Sequence, residues 1–174
     1  MIPPLVDGRL PLGRWPATPA ETAERFVPSD NKDRVQIWDH WSRLTDALQQ
    51  LVGHLPAAWL SGSFLTTKDV PADIDCVYVI DTGVLQAACS RGERTAQLLE
   101  SVASSRMKGF GLRVDSYILE WMPTHGATPT VAARPYRDRR GYWDDLWSRQ
   151  RSSDAREDAI PRRGYLEVIL DGYA

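Results

Sequence analysis

A chain of 174 residues has the size of one domain, with room for one substantial core and not for two. Its 21 basic and 23 acidic residues exclude a global basic field, so broad nonspecific nucleic-acid binding is not expected, although a local basic patch remains compatible with this balance. The start, MIPPLVDGRLPLGRWP, is broken by prolines and charges, and no run approaches the roughly 20 apolar residues of a membrane span, which predicts a soluble cytoplasmic protein with no membrane contact.

Residues 1–17 read as an extended arm, because Leu5, Leu10, Leu12 and Trp15 are spaced too irregularly for a helix. Thr18-Pro19-Ala20-Glu21 is a capping box with proline in the first turn, and it starts a short helix that Pro28 ends. A second helix is expected from about Asp30, with Asp33 in its first turn. Val35, Ile37, Trp38, Trp41, Leu44, Leu48, Leu51 and Val52 form its apolar stripe. Ala57–Ser61 reads as a strand, Phe64–Ala72 as a loop and Asp73–Ile80 as a second strand rich in β-formers.

Val84–Ser105 carries one or two helices with a break near Arg91-Gly92, and Leu112–Trp121 alternates as a third strand with Asp115 in its middle. Pro123–Pro135 is loop-like. Arg139–Arg151 is an amphipathic helix with Tyr142, Trp143, Leu146 and Trp147, the polar stretch Ser152–Asp158 follows, and Tyr165–Leu170 is a terminal strand. The fold expected is α+β, a small mixed sheet with helices packed mainly on one face. One domain spans 1–174, divided into the arm 1–17, a core 18–122 and a C-terminal helix and strand over 123–174.

The segment from Trp59 to Asp81 carries the chemistry. Asp73 and Asp75 sit two residues apart on a strand and leave the same face, where two anions repel unless a cation, a basic partner or a proton is present. Aspartates so placed are natural ligands for a hard cation such as Mg2+. Gly62 admits close approach of backbone amides to a phosphate, and the Ser63 hydroxyl is a donor for it. If the strands are neighbours, Asp115 joins this face as a third carboxylate able to bind metal and accept a proton.

The bland readings compete with these. A Gly-Ser pair before a turn and an Asp-x-Asp near proline each occur as ordinary loop chemistry. Lys68 reaches toward a phosphate or is solvated. Trp38, Trp41, Trp143 and Trp147 pack a core or offer a stacking surface. His40, His54 and His125 lie on separate elements with no ligand spacing. Cys76 and Cys89 lack paired metal spacing and read as small buried hydrophobes. Arg134, Arg137, Arg139, Arg140, Arg149, Arg151, Arg162 and Arg163 form solvated surface, or line a groove for an RNA acceptor or a triphosphate.

Gly62-Ser63, nine intervening residues, Asp73-Ile74-Asp75 and a later strand aspartate resemble the signature of the polymerase-β-type nucleotidyltransferase superfamily. Within it, Gly8-Arg9-Leu10-Pro11-Leu12-Gly13, Gly62-Ser63-Phe64, Pro71-Ala72-Asp73-Ile74-Asp75 and the Arg-Arg-Gly before the last strand resemble small bacterial and prophage nucleotidyltransferase-like proteins. The resemblance implies a nucleotidyltransferase-like fold, with Gly62 and Ser63 at the triphosphate of an ATP-like nucleotide and Asp73 and Asp75 as magnesium ligands. It implies Asp115 as third ligand and base. The expected activity is Mg2+-dependent transfer of a nucleoside monophosphate from a triphosphate to a hydroxyl of RNA, protein or a small molecule. The alternative is a catalytically silent binding module with a cognate protein partner in a toxin-antitoxin or phage-defence pair. A metal-dependent nuclease shares the aspartates but leaves the Gly-Ser loop without a role.

Overall fold

The computed structural model describes residues 1–122 and 133–173. Five strands form one mixed sheet in the order β1-β5-β2-β3-β4, with β1 at Arg14–Ala17, β2 at Ala57–Ser61, β3 at Ile74–Asp81, β4 at Val114–Trp121 and β5 at Tyr165–Ile169. β2 runs antiparallel to both β3 and β5, whereas β3–β4 and β1–β5 are parallel pairs. The helices are α1 at Pro19–Phe26, α2 at Lys32–Val52, α3 at Thr82–Cys89, α4 at Glu93–Ala103, α5 at Arg134–Ser148 and α6 at Ala155–Asp158. The chain is therefore α+β, as the residue pattern predicts.

Helix starts follow local chemistry. Both halves of the Thr18/Glu21 capping box are made, and Asn31 caps α2, its side chain accepting from the Arg34 amide. The Asp81 carboxylate accepts from the Gly83 and Val84 amides to open α3, and the helical stretch after β3 does break at Arg91-Gly92 into α3 and α4.

Strand alternation divides the core into two layers. Leu60, Ile74, Cys76, Tyr78, Ile80 and Val114 face α1, α2, α3 and α4, where Phe26, Ile37, Trp41, Leu44, Leu48, Leu99 and Val102 complete the larger cluster. Trp59, Val77, Val79, Leu119 and Tyr165 face the other way and meet Trp147 and Trp143 of α5. Trp41, Trp59 and Trp147 are thus core residues, whereas Val35 of the expected α2 stripe is exposed.

Three boundaries differ from expectation. Residues 14–17 of the arm, expected to lie extended on the body, form an edge strand, because β5 offers them a parallel partner; the arm and the C-terminal strand therefore belong to the same sheet as the core. α5 begins at Arg134, five residues before the expected start, because proline is tolerated in the first turn of a helix. The stretch expected to be a polar linker contains α6, capped by Asp154. The rest of the expected loop, 123–132, and His125 lie outside the described residues. Cys76 is buried but Cys89 is exposed, correcting its reading as a buried hydrophobe. Among the described residues no helix is long and apolar enough to cross a membrane.

Candidate functional site

The turn after β2 is built around Gly62, whose φ of 85° lies in the region glycine favours. A Cβ on Gly62 would stand 1.7 Å from Asp75 Oδ2, so the missing side chain is what allows the Asp75 carboxylate to lie against the Gly-Ser turn. Ser63 opens a short 3-10 turn over Ser63–Leu65. Its carbonyl accepts from the Thr66 amide and hydroxyl, and among the described residues its own hydroxyl has no partner.

The loop beyond is held by Arg34 of α2, a charged residue that the sequence reading passed over. Its Nη1 donates to the carbonyls of Phe26 and Phe64, at 2.9 and 2.8 Å, and its Nη2 to those of Thr66 and Lys68, at 2.8 and 2.6 Å. Arg34 is buried, and desolvation lowers its pKa. The Lys68 side chain itself is exposed.

The three predicted carboxylates share one patch. Asp75 pairs in register with Ser61 of β2 on one side and Asp115 of β4 on the other. Asp73 stands one residue before β3 rather than within it. Burial first, then the charges of Asp73 and Asp115, push Asp75 up to about 6. Asp115 is likewise raised, again chiefly by desolvation.

What the sequence reading missed is the company these groups keep. Lys108 Nζ lies 2.6 Å from Asp73 Oδ2 and 3.9 Å from Asp115 Oδ2. The hydroxyl of Ser105, a non-glycine residue at φ 60°, contacts Asp115 Oδ1. The ammonium therefore takes part of the space between Asp73 and Asp115. Among the described residues, no group of three or more His, Cys, Asp or Glu side chains closes into a metal-holding set. Asp73, Asp75 and Asp115 are brought together as an acidic patch with a resident lysine, rather than as a finished three-ligand cage. The donor chemistry still fits a hard cation: oxygen ligands only, and a half-buried carboxylate that makes no ion pair within 4 Å among the described residues.

Two arginines complete the surroundings. Arg163, just before β5, is the leading cationic influence on Asp75; burial chiefly lowers the Arg163 pKa, the Asp75 charge opposes this, and Arg9 of the arm adds to the lowering. The arm reaches this place because the Gly8 carbonyl accepts from the Thr67 amide and the Leu10 carbonyl from the Gly164 amide. A Cβ on Gly164 would meet the Pro11 carbonyl at 2.1 Å. The Gly-Arg and Arg-Arg-Gly motifs were the available signal for these residues. His40 accepts the Arg113 amide at Nδ1 and has a structural role.

No curated protein and no solved structure gives a significant match to this chain. One family does, over nearly its whole length. With residues 4–169 matched, the chain belongs to the family of unknown function DUF6932.

Proposed function

We propose that the chain is a cytoplasmic Mg2+-dependent nucleotidyltransferase that moves a nucleoside monophosphate from a triphosphate to a hydroxyl of RNA, protein or a small molecule. One observation carries the reading: Asp75 and Asp115 stand side by side on adjacent strands, with Asp75 seated against a glycine that its carboxylate could not share with any side chain. A protein keeps a half-buried carboxylate beside two like charges at a cost in stability, and such groups concentrate at functional sites. The two cysteines are free, consistent with a reducing compartment.

Asp73, Asp75 and Asp115 are the groups that would hold magnesium, which supplies charge neutralisation at the phosphates when bound. The chain's own residues do the rest. Ser63 donates its unpartnered hydroxyl to a phosphate oxygen, with the amides of the Gly62 turn beside it. The acceptor hydroxyl oxygen attacks the α-phosphorus, the bond from that phosphorus to the β-bridging oxygen breaks, pyrophosphate leaves with the electron pair, and the hydroxyl proton passes to Asp115. The raised pKa of Asp115 brings its basicity closer to what that transfer needs.

A second reading is favoured by Lys108. An ammonium 2.6 Å from Asp73 is a built-in counter-ion, which suits a silent module whose task is to bind a protein partner in a toxin-antitoxin or phage-defence pair. Incubation with each labelled triphosphate and a cell lysate separates the two. Label transferred by the wild type and lost in Asp73→Ala/Asp75→Ala, with folding retained, supports transfer. Unlabelled products together with a stable co-purifying protein support the silent module. Magnesium-dependent nucleotide binding that survives the double substitution refutes the placement of the site.

A further inference from the structure

Most arginines of the C-terminal basic run already have carboxylate partners. Arg134 pairs with Asp138, Arg139 with Glu120, Arg140 with Asp144, Arg149 with Asp145 and Arg162 with Glu157. Arg137 and Arg151 are exposed to solvent. Arg163 is half-buried with an Nε buried without a hydrogen bond, as are Arg140 and Arg149, but it differs from them in that its guanidinium makes no ion pair among the described residues. Arg9, half-buried beside it, has no side-chain partner among them either.

Arg163 already faces the Asp75 carboxylate, whose charge acts on it more strongly than that of Arg9, but neither guanidinium has a hydrogen-bonded anion among the described residues, and two like charges this near one another are an arrangement that a further anion stabilises. The backbone holds them there deliberately. The amides of Arg162 and Arg163 donate to the Ser148 carbonyl at the end of α5, at 2.6 and 3.1 Å, and the Gly164 amide donates to Leu10 at 2.9 Å. On the other side, the turn containing Asp7 and Gly8, both at positive φ, docks on Thr67 of the Gly-Ser loop. The Arg9 backbone is thereby held between the loop that follows Ser63 and the Arg163-Gly164 segment, and Arg163 in turn acts on Asp75.

We infer that Arg9 and Arg163 form a clamp for the outer phosphates of a polyphosphate, with Ser63 as its third contact, so that the N-terminal arm is part of the binding site. Identifying the polyphosphate as the tail of a nucleoside triphosphate rests on the nucleotidyl-transfer reading. The clamp itself needs only phosphate charge and bidentate geometry, which guanidinium provides and ammonium does not.

The test is calorimetric titration of the full-length protein with sodium tripolyphosphate in a chelating buffer, so that no metal contributes. Binding should weaken about 10- to 100-fold in Arg163→Gln and in Arg9→Gln, the loss expected for one charged hydrogen-bonded contact. Arg162→Gln, whose charge is spent on Glu157, should bind as wild type. If Arg163→Gln does not fold, Arg9→Gln and the milder Arg163→Lys carry the test, the latter expected to bind between wild type and the Arg9 variant. A wild type that fails to bind tripolyphosphate, or variants that bind it equally well, overturns the clamp. Retained clamp binding with no transfer to any acceptor overturns the nucleotidyl-transfer reading alone. Transfer with an unchanged KM for triphosphate in Arg9→Gln and Arg163→Gln overturns the clamp alone.

Discussion

Replacing Gly62 with alanine puts a methyl group where the Asp75 carboxylate already sits. The new carbon would be 1.7 Å from Oδ2 and 2.8 Å from Cγ but 3.4 Å from the Asp75 Cβ, so the conflict is with the carboxyl group and not with the strand. Two costs follow. Holding a non-glycine residue at this φ costs about 1–3 kcal/mol, and forcing Asp75 off its rotamer adds about 0.5–1.5 kcal/mol. Gly62→Ala is therefore expected to destabilise by about 2–4 kcal/mol. In an Asp75→Ala background the obstructing atoms are gone, and only the backbone strain should remain. Urea unfolding of the four proteins of this double-mutant cycle measures the difference, with an expected coupling of about 1 kcal/mol. Equal costs of Gly62→Ala in the two backgrounds would show that glycine is kept there for its backbone alone, and the argument that it makes room for Asp75 would fail.

Asp75 also predicts a pH dependence. Its folded pKa is raised from 3.8 to about 6, so the protonated carboxyl contributes stability that is fully present below 3.8 and is lost as pH rises through about 6. The loss amounts to about 3 kcal/mol at about 1.4 kcal/mol per pH unit; Asp75→Asn should therefore be more stable than wild type at pH 8 and converge with it near pH 4, and thermal unfolding curves that stay parallel across that range would contradict this. Arg34→Met should cost about 3–5 kcal/mol, since it strips four carbonyls of a charged donor, and should speed hydrogen exchange at residues 64–68 more than elsewhere; protection unchanged in that loop would deny Arg34 its bracing role. Gly164→Ala drives a methyl into the Pro11 carbonyl, a backbone atom that moves only if the arm does, so limited proteolysis should cut residues 1–13 faster than in wild type. Lys108→Met should tighten Mg2+ binding to the carboxylates in a calorimetric titration if the ammonium competes with the ion, and weaker or unchanged binding would show that it does not.

Most of the frame was legible in the residues because its causes are local. Capping chemistry placed α1, β-forming residues placed β3, alternation placed β4, and glycine with its neighbours divided α3 from α4. A period of two put Asp73 and Asp75 on one face, although Asp73 stands just before β3, and neighbouring sequential strands bring Asp115 into register with Asp75. The spacing of Gly62, Ser63, Asp73 and Asp75 was enough to nominate the patch.

Other features depend on chain segments far apart in sequence, and no local pattern encodes them. Residues 14–17 became a strand only because β5, some 150 residues later, offers its edge. Arg34 reads as one more polar position on a helix until the loop over 64–68 closes onto it, and Lys108 as an exit-loop cation until the parallel β3–β4 pair carries it to Asp73. Arg163 and Arg9 lie at opposite ends of the chain, and only the packing of the arm against Gly164 makes them neighbours. Residue type and spacing thus determined which groups could do chemistry. Tertiary structure decided which charges they face, because electrostatic environment is set by distance in space and by exclusion of water, neither of which is written in the order of the residues.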